Sequence, residues 1–127
     1  MNVVDSSGWI EYVVDGPNAV RFEPPLLEKH KLVVPTLSIF EVYRYVLRER
    51  GRPHALEVAA VMRQGIIVDL DAELAVEAAE QSALHRLPMA DAIIYTIARI
   101  HEATLWTQDA DFQGLEGVQY LPKHGAF

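Results

Sequence analysis

The stretch Leu105-Trp106-Thr107-Gln108-Asp109-Ala110-Asp111-Phe112 decides how this chain is read. A short apolar run, Ala103 to Trp106, stops at Thr107. Two aspartates follow, Asp109 and Asp111, with one alanine between them and an aromatic after. An apolar run of this length bounded by polar residues reads as a buried strand. Its mouth carries two like charges, which repel unless something of opposite sign lies between them.

The same pattern recurs along the chain. Val3-Val4 reads as a strand that ends in Asp5, and Ser6-Ser7-Gly8 opens a helix that either Asp5 or Ser6 can cap. Asp15-Gly16-Pro17-Asn18 is a turn. A helix from Ala19 to Glu23 is expected to be interrupted by Pro24-Pro25. Leu32 to Val34 is a second strand. The spacing of Leu37, Phe40, Val42, Tyr43, Val46 and Leu47 then predicts a helix over Pro35 to Arg50, stopped by Gly51. His54 to Gln64 is a further helix, and Ile66 to Val68 a third strand. Asp71 to Arg86 and Pro88 to His101 read as helices, with Ala103 to Trp106 and Val118 to Leu121 as the last two strands. Strands alternating with helices define an α/β domain: a mainly parallel sheet of about five short strands, with helices on both faces as a three-layer α/β/α sandwich. Such folds bind ligands beyond the carboxyl ends of their strands, which is where Asp109 and Asp111 fall.

The bulk numbers narrow the class. The 127 residues suit one domain, spanning 1–127, that buries its own core. Half the residues are hydrophobic and 23% charged, as in an ordinary globular protein. There is no cysteine, which excludes disulfides, thiolate metal sites and cysteine nucleophiles. The net charge of −7 argues against nucleic-acid binding by a broad basic surface. It leaves room for a nuclease whose phosphate contacts come from metal ions and a small basic patch. The start shows no signal-peptide pattern, and no window reaches the ~18 apolar residues of a membrane span, so a cytoplasmic location is expected.

Two more acids belong with those at the strand ends. Glu41 lies among Ile39, Phe40, Val42 and Tyr43, and Asp91 lies in Met89-Ala90-Asp91-Ala92-Ile93-Ile94 at the start of a helix. Helix entry points face the carboxyl edge of a parallel sheet, so Asp5, Glu41, Asp91 and Asp109 can converge. Each also has a structural use: Asp5 as a cap, Asp91 as a first-turn acid favoured by the helix dipole, Asp109 in a turn, Glu41 facing solvent or an arginine. Together, without a counter-charge, they would raise one another's pKa values. A hard divalent cation such as Mg²⁺ or Mn²⁺, which favours oxygen ligands, removes that repulsion. It also stabilises a pentacovalent phosphorus and acidifies an attacking water. The hydroxyls of Ser6, Ser7 and Thr107 stand beside the acids, as water or metal-shell holders or as caps.

In this order and spacing, Asp5-Ser6-Ser7, Glu41, Leu87-Pro88-Met89-Ala90-Asp91-Ala92 and Thr107-Gln108-Asp109-Ala110-Asp111-Phe112 resemble the PIN domain over nearly the whole chain, in particular the VapC-type toxins of toxin–antitoxin pairs. The resemblance implies a PIN-like fold and an Mg²⁺- or Mn²⁺-dependent ribonuclease. It carries the family's acidic quartet, as catalytic residues and metal ligands, to Asp5, Glu41, Asp91 and Asp109. Its small hydroxyl residue carries to Ser6 or Ser7 and its threonine to Thr107, with Asp111 a supporting acid. It further implies an RNA substrate, a homodimer and a cognate VapB-type antitoxin.

The remaining polar and aromatic residues give weaker signals. Arg44, Arg48, Arg50 and Arg52 form a basic cluster broken by Glu49. Arg44 and Arg48 share a helix face near Glu41, either as an RNA-backbone contact or as a solvated helix end. His30, His54, His85, His101 and His124 have no ligand spacing, and surface or packing roles are expected. Trp9, Tyr12, Phe40, Tyr43 and Tyr45 are read as core or dimer contacts rather than base-stacking platforms. Tyr43, Tyr45, Val46, Leu56 and Met62 are more apolar surface than one small domain can be expected to bury, which favours a dimer. Two other classes compete. One is a catalytically inactive PIN-like module that binds protein or RNA. The other is a phosphoacceptor signalling domain, which would need paired acids after the first strand and a late strand-end lysine. Here the first strand ends in Asp5-Ser6-Ser7, and Lys123 stands past the last strand.

Overall fold

In the computed structural model, which describes residues 1–123, the chain runs β1 (Asn2–Val4), α1 (Ser6–Val13), α2 (Ala19–Leu27), β2 (Leu32–Pro35), α3 (Thr36–Arg50), α4 (Arg52–Met62), β3 (Ile66–Val68), α5 (Ala72–His85), α6 (Met89–Ile100), β4 (Thr104–Thr107) and β5 (Val118–Tyr120), with short 3-10 turns at Lys29–Lys31 and Ala110–Phe112. His124 lies outside the described residues. The five strands form one sheet in the order β3-β2-β1-β4-β5, and every neighbouring pair is parallel. Asn2 pairs with both Leu32 and Thr104, which fixes β1 as the central strand. The first three strands step outward in one direction. The chain then returns past α5 and α6 to the other side of β1. Strand order therefore reverses between β1 and β4, and the crevice beyond their carboxyl ends is the place where such sheets bind ligands.

Alternation along the strands splits the core in two. Val3, Val33 and Leu105 point to one face and pack with Leu74, Ala78, Ile94 and Ile97 of α5 and α6. Val4, Leu32 and Val34 point to the other and pack with Trp9, Phe22, Val42, Val46 and Met62 of α1 to α4. This period of two is what a sheet covered on both faces requires. Gly8 lets α1 lie close: a Cβ there would fall 2.7 Å from Val4 Cγ1 and 2.8 Å from a Phe22 ring carbon.

Several boundaries differ from the sequence expectation. Pro24 and Pro25 do not interrupt α2, which runs on to Leu27. The two hydrogen bonds lost would have ended on the carbonyls of Val20 and Arg21, both exposed residues, while Phe22, Pro25 and Leu26 are buried and hold the helix against the core. Gly51, at φ +87°, ends α3 and also opens α4, so α4 begins at Arg52 rather than His54. β4 extends through Thr107. The apolar surplus assigned to a dimer is largely internal: Val46 and Met62 are fully buried, and Tyr43 and Tyr45 pack on the same cluster, because α1, α3 and α4 form one layer. Of that group only Leu56 is exposed. Phe40, read as a core or dimer contact, is not in the core: 58% of its surface is open, which leaves the dimer alternative standing. Among the described residues no helix is long and apolar enough to cross a membrane.

Candidate active site

Asp5 follows β1 directly and caps α1. Its Oδ1 accepts from the Gly8 N–H at 3.0 Å and from the Ser7 hydroxyl at 2.8 Å. Its Oδ2 accepts from the Thr107 hydroxyl at 2.7 Å, across the β1–β4 crevice. The Asp5 N–H donates to the Trp106 carbonyl, so the two strand ends are locked together. Thr107 is fully buried, and its Oγ1 also accepts the Asp109 N–H at 2.9 Å. One hydroxyl thus sets the distance between the acid after β1 and the acid after β4. Asp109 Oδ1 in turn accepts the Asp111 N–H at 2.9 Å, opening the 3-10 turn that Phe112 anchors in the core.

Asp91 enters from the first turn of α6. Carboxylate oxygens of Asp91, Asp109 and Asp111 all lie within 4.8 Å of one another. Glu41, on the second turn of α3, accepts from the Ser6 hydroxyl at 2.6 Å. The sequence grouping of Asp5, Glu41, Asp91 and Asp109 therefore takes a more detailed form. Asp91, Asp109 and Asp111 are the tightest group. Asp5 stands behind them with both oxygens engaged, and Glu41 is held from the α1 side by Ser6.

Asp91 feels the charge of the other four acids, and Asp5 that of Asp109. Burial pushes the Asp91 carboxyl up to about 7, helped by Asp109, Asp5, Asp111 and Glu41 in that order. This runs against its place in a helix first turn, where the dipole favours a negative charge. Asp5 rises to about 6, from burial first, although the hydrogen bonds of Thr107, Ser7 and Gly8 pull it down. Among the described residues, no lysine or arginine forms an ion pair with any of these acids. Oxygen-only donors, close spacing and an uncompensated negative field fit a hard divalent cation.

The basic residues expected near RNA are placed less uniformly. Arg44 lies over the exposed Phe40 ring, 5.2 Å from its centroid. Arg48 lies over Tyr45 and bonds Glu49 at 3.1 Å, so it is partly spent within its own helix. Sequence reasoning missed Asn18 and Gln108. Asn18 falls in the turn that the sequence predicts, yet it is fully buried, and its side-chain amide donates to the Gln108 side-chain carbonyl at 3.1 Å and to the Pro122 carbonyl at 3.0 Å. The one available signal was the position of Gln108 between Thr107 and Asp109.

Comparison with known proteins agrees with this geometry. The PIN domain family model matches residues 3–118, and the chain belongs to the PIN domain family. No curated protein matches it by sequence. Among solved structures it is similar to a toxin–antitoxin complex from Klebsiella pneumoniae, with TM-score 0.79 and 19% identity over 94% of this chain and 96% of that one. It is also similar to VapC20 of Mycobacterium tuberculosis, described as a sarcin–ricin loop cleaving toxin, with TM-score 0.76 and 18% identity over 91% and 95% of the two chains. A third is VapBC2 from Rickettsia felis bound to a promoter DNA fragment, with TM-score 0.72 and 12% identity over 95% and 97%. At these identities the likeness is one of fold.

Proposed function

We propose that this PIN domain is a metal-dependent endoribonuclease, the toxin of a VapBC-type toxin–antitoxin pair. The observation that carries the proposal is the convergence of Asp5, Glu41, Asp91, Asp109 and Asp111 at the strand-order reversal, with no cationic side chain paired to them among the described residues. Its fold-level likeness to a toxin that cleaves the sarcin–ricin loop, and to toxin–antitoxin complexes, supports the RNA substrate and the VapB-type antitoxin partner.

In this reading Asp91, Asp109 and Asp111 hold Mg²⁺ or Mn²⁺, with Asp5 and Glu41 completing the negative shell. When bound, such an ion polarises a phosphodiester oxygen and lowers the pKa of an attacking water. Thr107 and Ser7 hold Asp5 in one orientation, and Ser6 holds Glu41, so neither carboxylate has to be ordered when substrate arrives. The Ser6 hydroxyl donates to Glu41 Oε1 and so leaves Oε2 as the oxygen free to face the site. Arg44, with no carboxylate partner among the described residues, contacts the RNA backbone, and Arg48 contributes less because Glu49 engages it. The homodimer now rests on exposed Phe40, Leu47, Leu56 and Val61 of α3 and α4. A cytoplasmic location belongs to the same proposal.

The test is incubation with a panel of structured RNAs and Mg²⁺ or Mn²⁺. Discrete cuts that EDTA abolishes are expected. Cleavage that persists in EDTA, or no cleavage of any RNA at saturating metal, would overturn the proposal.

A further inference from the structure

Gln108 separates Thr107 from Asp109, yet its side chain turns inward and is only 8% exposed. Its Oε1 accepts from Asn18 Nδ2 at 3.1 Å, and its Nε2 reaches Glu11 Oε1 at 3.5 Å. Asn18 Nδ2 also donates to the Pro122 carbonyl at 3.0 Å, and the Asn18 N–H donates to Glu11 Oε2 at 2.8 Å. The direction of this chain of bonds is fixed from both ends. A carbonyl and a carboxylate only accept, so the amides of Asn18 and Gln108 each have one permitted orientation. The turn itself is built for it: a Cβ on Gly16 would fall 2.4 Å from the Glu11 carboxyl carbon. One buried asparagine thus ties together the α1–α2 turn, the acid-bearing segment after β4 and the segment leaving β5.

An apolar pair of the same size would hold these segments together about as well, since the net gain from a buried hydrogen bond is small. What the polar arrangement adds is direction. Asp109 is extended, at φ −85° and ψ 120°. Neighbouring side chains on extended backbone point opposite ways. Fixing Gln108 inward therefore fixes Asp109 outward, towards Asp91 and Asp111, and Asp109 Oδ1 then holds the Asp111 N–H. We propose that Asn18 and Gln108 are positioning residues: a buried clamp that aims the Asp109 carboxylate and so sets the divalent-metal affinity of the acidic group. This rests on the metal-dependent reading above.

The test uses the full chain and Mn²⁺ itself. Wild type, Gln108→Met and the double variant Asn18→Leu/Gln108→Met are compared by calorimetric Mn²⁺ titration, by thermal melts in EDTA, and by kcat and KM on an RNA the wild type cleaves. Gln108→Met is expected to weaken Mn²⁺ binding at least about tenfold, as loss of a group that orients a ligand does. It should lower kcat more than it raises KM. In the double variant the Asn18–Gln108 bond is removed from both sides, and the acceptors left behind, the Pro122 carbonyl and the Glu11 carboxylate, belong to residues that reach solvent, so the melting temperature in EDTA should recover part of the way towards wild type while Mn²⁺ binding stays weak. Metal affinity that recovers together with the melting temperature would make the pair merely structural and overturn the clamp. So would a Gln108→Met variant that binds Mn²⁺ like the wild type. A wild type that binds no Mn²⁺ would overturn the metal-dependent reading, and the clamp with it.

Discussion

Replacing Asp91 by asparagine keeps the size of the side chain and removes its charge. In the metal-free protein the Asp91 carboxyl sits at about 7 instead of 3.8, from burial and from four neighbouring acids. A raised acid binds its proton more tightly folded than unfolded. Its contribution to stability is complete below about pH 4 and is lost as pH rises through 7. At about 1.4 kcal/mol per pH unit the full span would be about 4 kcal/mol. Asp91 is only half-buried, and solvent screening reduces this to about 1–2 kcal/mol. For a domain of this size that is about 4–8 °C in Tm. Asp91→Asn should therefore melt about 4–8 °C above wild type at pH 8 in EDTA, and the gap should narrow as pH falls below 7 and close only below about pH 4, where Asp91 is protonated in the folded and unfolded states alike. Added Mn²⁺ should raise the wild-type Tm and raise that of the variant much less. Differential scanning calorimetry across this pH range reads all of these values. A variant that melts at or below wild type at pH 8 would refute the reasoning and make Asp91 a structural first-turn acid.

Thr107→Val removes the hydroxyl that serves both Asp5 and Asp109. Leaving the buried Asp5 carboxylate and the half-buried Asp109 N–H short of a partner should lower stability by about 1–3 kcal/mol in urea melts, with RNA cleavage falling further than the unfolded fraction explains. Gly8→Ala should destabilise by about 1–3 kcal/mol, because the added methyl meets Val4 and Phe22 at under 3 Å. Asp71 accepts the Leu74 N–H at 2.8 Å as the cap of α5. Asp71→Ala should cost about 1 kcal/mol in the same melts and leave cleavage by the folded protein unchanged.

What the sequence revealed and what it hid follow from the physics of each residue. Glu41 and Asp91 were legible because charge interrupted an apolar helical pattern, and Asp5 and Asp109 because strand ends in parallel sheets share one edge. Asp111, a supporting acid in the sequence reading, is brought by the 3-10 turn within 4.8 Å of the Asp109 carboxylate. Spacing along the chain does not reveal that turn. Asn18 was hidden because asparagine after Gly-Pro is what any turn contains. Its burial depends on Gln108 and Pro122, both remote in sequence. Pro24 and Pro25 misled because local disruption by proline is set against the burial of Phe22, Pro25 and Leu26, which spacing along the chain does not report. Val46 and Met62 look like interface residues in the sequence because periodicity reports which residues share a face and not which element covers it.

The most direct measurement is the rate of cleavage of one RNA against Mn²⁺ concentration for wild type, Asp109→Asn and Asp71→Ala, each shown to be folded by its melt. Loss of a metal-holding carboxylate should lower the Asp109→Asn rate by at least about 100-fold and shift its Mn²⁺ dependence to higher concentration. Asp71→Ala, which removes an acid of the same type from a helix cap, should follow the wild-type curve. An Asp109→Asn protein that cleaves at near wild-type rates with an unshifted Mn²⁺ dependence would contradict the account.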